Sequence, residues 1–135
     1  MRKLLVLLVF SLMNLISFSA MKDGIYYVEK TYDNEWKSFV KITVKNDKII
    51  GAQYDRKSSD GILLSLDQKE NDKAKIKYGL TFRDMSFTLT RGLVSNQKVE
   101  VNETVKDSNS LDEFKKMVNY LIEKANNGED GVYKL

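Results

Sequence analysis

The chain has 135 residues, with 22 lysines and arginines against 19 aspartates and glutamates, and it contains no cysteine, histidine or proline. The length fits one domain with its own hydrophobic core. Without cysteine or histidine, disulfides, thiolate nucleophiles and imidazole bases are excluded, so a hydrolase would depend on carboxylates alone. The near balance of charge gives no basic excess that would favour nucleic acid or an anionic membrane surface.

Residues 1–20 have the pattern of a secretory signal peptide. Arg2 and Lys3 are followed by an apolar run over 4–18 and then by small residues. The run is shorter than the ~20 residues that a membrane-spanning helix needs. We therefore expect one mature domain, 21–135, exported to the periplasm, the cell surface or the medium. A retained N-terminal anchor is the alternative.

Three strands are predicted at the start of the mature domain. Even positions of 36–45 are mostly apolar and odd positions are mostly lysine or threonine, a period of two that indicates one buried face. Asn46 and Asp47 suit a two-residue hairpin turn. A further strand over 24–32 is rich in tyrosine and valine. The strand after the turn, 48–55, has alternate apolar residues on one face: Ile50, Ala52 and Tyr54.

The middle of the chain is less regular. A polar loop is predicted over 56–61 and a weak surface helix over 66–77, where charge is high and apolar residues are few. Segment 82–96 has apolar residues spaced for a helix and others that alternate as in a strand, and the helical spacing is the better match. Segment 98–105 predicts a short strand or an extended loop.

An amphipathic helix is predicted near the C-terminus. Ser110 and Glu113 have the spacing of a capping box. Gly128 suits the left-handed stop of the helix, and the tail, 129–135, is either loose or a short edge strand. The fold class is therefore α+β, a small antiparallel sheet from the N-terminal meander packed against this helix. The predicted apolar stripe comprises Phe114, Met117, Val118, Leu121, Ile122 and Ala125.

The succession of these segments resembles the small exported FMN-binding domain family. The resemblance rests on DGIY at 23–26, KITVKNDKIIGAQYD at 41–55, DG at 60–61 and FKKMVNYLIEKANNGE at 114–129. It implies an electron-transfer module outside the cytoplasmic membrane, with a redox or envelope protein as partner. In some members FMN is attached through its phosphate to a threonine just before the last helix, and Thr104 lies at the corresponding position here.

The same resemblance implies further FMN-binding residues. Small residues precede the acceptor threonine in the family, whereas Asn102 and Glu103 precede Thr104 here, which favours non-covalent FMN because a carboxylate repels phosphate. The start of the last helix at Ser110 offers N–H groups to a phosphate, with Lys106 or Arg91 to balance its charge. Three aromatic residues, each also suited to the core, are expected to line the ring slot: Trp36, Tyr54 and Phe82.

The sequence is also compatible with two other functions. The first is an interaction or ligand-binding module that keeps the fold without the flavin, which the altered segment before Thr104 favours. The second is a calcium- or sugar-binding envelope protein that uses the acidic loop 55–60, although its carboxylates lack regular ligand spacing.

Overall fold

The structure is a computed structural model that describes residues 20–135. The predicted signal segment, 1–19, lies outside the described residues. Among the residues described, no helix is long and apolar enough to cross a membrane. In chain order the strands and helices are β1 Gly24–Glu29, β2 Lys37–Lys45, β3 Lys48–Lys57, α1 Gln68–Tyr78, α2 Phe82–Asn96, α3 Ser108–Asn126 and β4 Gly131–Lys134.

The first three strands form the predicted antiparallel meander. β1 pairs with β2, and β2 pairs with β3 through a turn at Asn46 and Asp47. Both turn residues have positive φ, 52° and 61°, as the two-residue hairpin requires. Together with the packing of α3 on this sheet, the meander confirms the α+β fold class.

One face assignment in β3 was wrong. Thr43 pairs with Gly51 whereas Val44 pairs with Ile49, so Ile50 is an extra residue in a β-bulge. The bulge reverses the alternation, so Ile49 is buried and Ile50 is 54% exposed. Strict period-two counting from Tyr54 back to Ile50 therefore fails at this point.

Of the two alternatives for the C-terminal tail, the edge strand is correct. β4 lies parallel to β1, with Tyr26 opposite Gly131 and Tyr133 opposite Val28. The sheet order is β3-β2-β1-β4, so a parallel edge strand extends the antiparallel meander.

α2 and α3 pack against the sheet, and α1 packs against α2. The weak surface helix, predicted over 66–77, is α1, and the ambiguous segment 82–96 is helical as α2. The buried residues of α2 recur at helical spacing: Phe82, Met85, Leu89 and Leu93. The loop alternative is correct for 98–105, which contains no strand.

The start of α3 differs from the predicted capping box. The side chain of Asp107, not of Ser110, caps the helix by accepting the backbone N–H of Ser110 at 3.1 Å. Ser110 therefore lies in the first turn, and its hydroxyl donates to Asp107 at 2.6 Å. Gly128 has φ 69° directly after the C-terminal cap, as predicted. The apolar stripe of α3 packs on the sheet, with Phe114, Val118 and Leu121 fully buried.

Candidate functional site

A polar cleft lies where the first turn of α3 meets β2, β3 and the loop that follows β1. Its volume is about 390 Å³. Two aromatic side chains, Trp36 and Tyr78, line it, and both are partly exposed. Its charged lining residues are two cations and three carboxylates: Lys30, Arg56, Asp33, Asp107 and Glu113.

Arg56 lines the cleft and makes several contacts there. Its Nε donates to Ser38 Oγ at 3.1 Å, and its Nη2 donates to Ser110 Oγ at 2.9 Å. The guanidinium carbon lies 5.1 Å from the ring centroid of Phe82, a cation–π contact. A guanidinium is planar and has several fixed donors, so these contacts together define its orientation.

Glu113 is the second buried charge of the network. Its Oε1 accepts the Tyr54 hydroxyl at 2.7 Å and lies 3.5 Å from Arg56 Nη2, while its Oε2 lies 3.2 Å from Lys30 Nζ. Burial alone would raise the pKa of Glu113, but hydrogen bonds from Ser38 and Tyr54 and the charge of Arg56 outweigh it and lower the pKa. The carboxylate is therefore ionised at neutral pH.

Tyr54 connects this network to the core. Burial raises the pKa of its hydroxyl well above the usual range, so it remains a neutral donor to Glu113. Its ring lies 5.2 Å from Phe114 and 5.8 Å from Phe82, measured between centroids. The position of the hydroxyl is thus determined by core packing on both sides.

Of the five residues assigned to FMN by the resemblance, two line this cleft and two contact its charged residues from the core side. Trp36 and Ser110 line it, the Tyr54 hydroxyl is bonded to Glu113, and the Phe82 ring contacts the guanidinium of Arg56. Thr104 is outside the cleft lining. It is exposed, and its hydroxyl donates at 2.6 Å to the side chain of Asn102.

The charged centre of the site was not predicted from the sequence. Arg56 was assigned to a polar loop, but β3 continues through Lys57. Arg91, proposed as a compensating cation, instead lies over the ring of Phe87, 5.3 Å from its centroid. Periodicity could have indicated it. Arg56 lies two residues after Tyr54 in a strand, and Glu113 lies three residues after Ser110 in a helix, so each pair shares one face of its element.

A larger groove of about 690 Å³ runs between β3 and α2, but its inward polar groups make structural bonds. The Asp55 carboxylate accepts the N–H and the hydroxyl of Ser65, and Asn71 donates to three backbone carbonyls. The Ser86 hydroxyl bonds to the carbonyl of Tyr54. The smaller cleft is the better candidate site, because it combines two partly exposed aromatic side chains with a paired cation and carboxylate, Arg56 and Glu113.

The acidic loop suggested for calcium does not assemble a metal site. No group of three or more carboxylates that could hold a metal ion occurs within residues 20–135.

The cleft residues match only one part of FMN. Trp36 and Tyr78 offer aromatic surface of the kind on which a planar ring stacks. The phosphate is not matched, because carboxylates outnumber cations in the lining and both cations already contact Glu113. Covalent attachment at Thr104 is not matched either, because Thr104 lies outside the cleft lining and Glu103 directly precedes it in an exposed turn.

Comparison with known proteins gives structural relatives only. The fold is similar to the crystal structure of the CPE2226 protein from Clostridium perfringens, with a TM-score of 0.77 and 23% identity over 85% of this chain and 97% of that chain. A solution structure of a Clostridium thermocellum protein aligns with a TM-score of 0.45 and 21% identity, over 83% of this chain and 95% of that chain. No protein-family model and no curated protein matches the chain. The likeness to CPE2226 concerns the fold alone.

Proposed function

We propose that this protein is an exported binding module that holds a small ligand with a planar or compact apolar part in the cleft at the start of α3. The observation that carries the proposal is the pairing of partly exposed Trp36 and Tyr78 with the hydrogen-bonded network of Arg56 and Glu113. Sites of this kind place a few fixed polar groups beside apolar surface, and the polar groups orient the ligand.

The network favours recognition because its geometry is established before a ligand arrives. Arg56 is fixed by Ser38, Ser110 and Phe82, and Glu113 is fixed by Tyr54. A ligand therefore meets groups that lose little conformational freedom on binding, which improves affinity.

Trp36 provides the test, since it is the single tryptophan of the chain. Titration of the full chain with a planar anion (FMN), a neutral aromatic alcohol and an aromatic ammonium compound should change the Trp36 emission saturably for at least one probe. Tyr78→Ala should weaken that binding, whereas Tyr133→Ala, on β4 outside the cleft lining, should not. If none of the three probes changes the emission, the proposal is wrong.

The second candidate is an exported FMN-binding electron carrier that meets a redox or envelope protein partner. The aromatic surface of Trp36 and Tyr78 favours it, together with the family resemblance. Bound FMN would supply the redox chemistry, and the chain would supply position and environment.

Expression of the full chain with and without a flavin transferase tests this second candidate. A carrier should be yellow or should quench the fluorescence of added FMN, and covalent FMN should add to the intact mass. Thr104→Ala should remove any such added mass. A colourless protein of unchanged mass that leaves FMN fluorescence unaltered would exclude the carrier.

A further inference from the structure

Of the two cations that line the cleft, Lys30 is the one that a ligand can displace more easily. Lys30 follows β1, and its backbone N–H donates to the Ser38 carbonyl at 2.9 Å, so its main chain is fixed. Its ammonium lies 3.2 Å from Glu113 Oε2, and its side chain is 46% exposed, against 16% for the side chain of Glu113. The ammonium is thus a solvent-accessible partner of a mostly buried carboxylate.

The two cations of the cleft differ in how firmly they are held. Arg56 makes hydrogen bonds to Ser38 and Ser110 and lies on the ring of Phe82. Lys30 reaches the cleft through a flexible four-carbon side chain, which regains rotamer freedom when its ammonium is released. A ligand can therefore displace Lys30 from Glu113 while Arg56 stays in place.

We propose that the ligand of this cleft is a small quaternary ammonium compound whose charge replaces that of Lys30 beside Glu113 and whose methyl groups contact Trp36. This rests on the proposed binding function and names its ligand class. The exchange keeps one positive charge beside the carboxylate, so the buried charge is never left without a partner. Aromatic walls add cation–π attraction, which is strongest for tryptophan.

The charge of the cleft agrees with this class of ligand. The carboxylates of Asp33, Asp107 and Glu113 outnumber the cations of Lys30 and Arg56. Displacement of Lys30 towards solvent makes the remaining lining more negative, which favours a cation over a neutral or anionic ligand. Lys30 therefore competes with the ligand for Glu113, and replacement of Lys30 by an uncharged residue should strengthen ligand binding.

The test compares a cation with its neutral isostere on the full chain. Choline and 3,3-dimethyl-1-butanol have almost the same shape but differ in charge, and benzyltrimethylammonium adds an aromatic ring. We expect calorimetry and Trp36 emission to show that choline binds about tenfold more tightly than the alcohol, the range of a partly desolvated cation–π and ion-pair contact. Glu113→Gln should remove this preference.

The Lys30→Met variant tests the displacement itself. It keeps most of the aliphatic side chain and should tighten choline binding by about fivefold, because an exposed ion pair no longer competes. Lys124→Met is the matched control, since Lys124 also makes an ion pair, with Glu129 at 3.3 Å, outside the cleft lining. The control removes the same net charge and should leave choline binding unchanged. Circular dichroism establishes that each variant is folded.

Three results would overturn this inference or its basis, and they differ from one another. Equal affinity for choline and the alcohol means that the ligand class is wrong while binding in the cleft stands. Equal effects of Lys30→Met and Lys124→Met mean that Lys30 is no competitor. No response of Trp36 to any cationic, neutral or anionic probe means that the proposed binding function itself fails.

Discussion

Glu113 is the residue on which the charged network of the cleft converges. Its carboxylate contacts Arg56 and Lys30 and accepts the hydroxyl of Tyr54. Removal of any one of these partners would leave a mostly buried charge with fewer donors, which is more costly than an exposed charge. The protonation of Glu113 should therefore be coupled to the stability of the whole domain.

We predict that Glu113→Gln weakens the dependence of stability on acidic pH. The folded-state pKa of Glu113 lies below its ordinary value of 4.5, so the unfolded chain binds the proton first as the pH falls. The stabilisation from ionised Glu113 is therefore complete above about pH 4.5 and is lost as the pH falls through the folded-state pKa. Urea unfolding at a series of pH values should show a steeper fall for the wild type than for Glu113→Gln.

An exposed glutamate on the same helix provides the control for this experiment. Glu123→Gln removes the same charge from α3, but Glu123 is exposed, so its curve should follow the wild type. Glu29, whose pKa is also lowered, is present in every variant and cancels in the comparison. Parallel curves for the wild type and Glu113→Gln would contradict the coupling.

At the scale of elements, the start of α3 determines the geometry of the cleft. Ser110 and Glu113 are three residues apart in the first turns of the helix and so lie on one face, towards Arg56. The Asp107 cap fixes this turn through the N–H and the hydroxyl of Ser110. The cap thus contributes both to helix stability and to the site.

We predict that Asp107→Ala lowers the free energy of unfolding by about 1 kcal/mol, the usual effect of removing an N-cap. Asp107→Asn retains a side-chain oxygen and should recover most of this loss. Asp112→Ala, an exposed carboxylate further along α3, is the matched control and should change little. Equal losses at the two positions, measured by urea unfolding, would mean that the helix does not depend on the cap.

The elements were predictable where a long periodic pattern determines them. The meander and α3 have such patterns, and the helical spacing from Phe82 to Leu93 correctly decided α2. The bulge at Ile50 was not predictable, because one extra residue leaves the local composition of a strand unchanged. The cap was misassigned because Asp107 and Ser110 are both good capping residues and lie three positions apart.

At the scale of the whole molecule, the site could be predicted only in part. Aromatic residues could be singled out by their type: Trp36 lines the cleft, and Tyr54 and Phe82 contact its charged residues Glu113 and Arg56. The ion pair between Lys30 and Glu113 joins residues 83 positions apart, so no local spacing reveals it. Folding brings Lys30 and Glu113 together, and the net charge of the whole chain does not indicate which charged residues become neighbours.

The cleft and the core should unfold as one unit, because the ring of Tyr54 packs in the core while its hydroxyl belongs to the site. Trp36 emission, which reports on the cleft, and far-ultraviolet circular dichroism, which reports on the whole domain, should therefore give coincident urea transitions. Tyr54→Phe should lower the free energy of unfolding by about 1 to 2 kcal/mol, equally by both signals, because Glu113 loses a buried donor. Tyr120→Phe, in a ring pair with Tyr133, should change stability by less than about 0.5 kcal/mol. If the Trp36 transition preceded the other, the cleft would be a separate, weaker unit resting on an independently stable core.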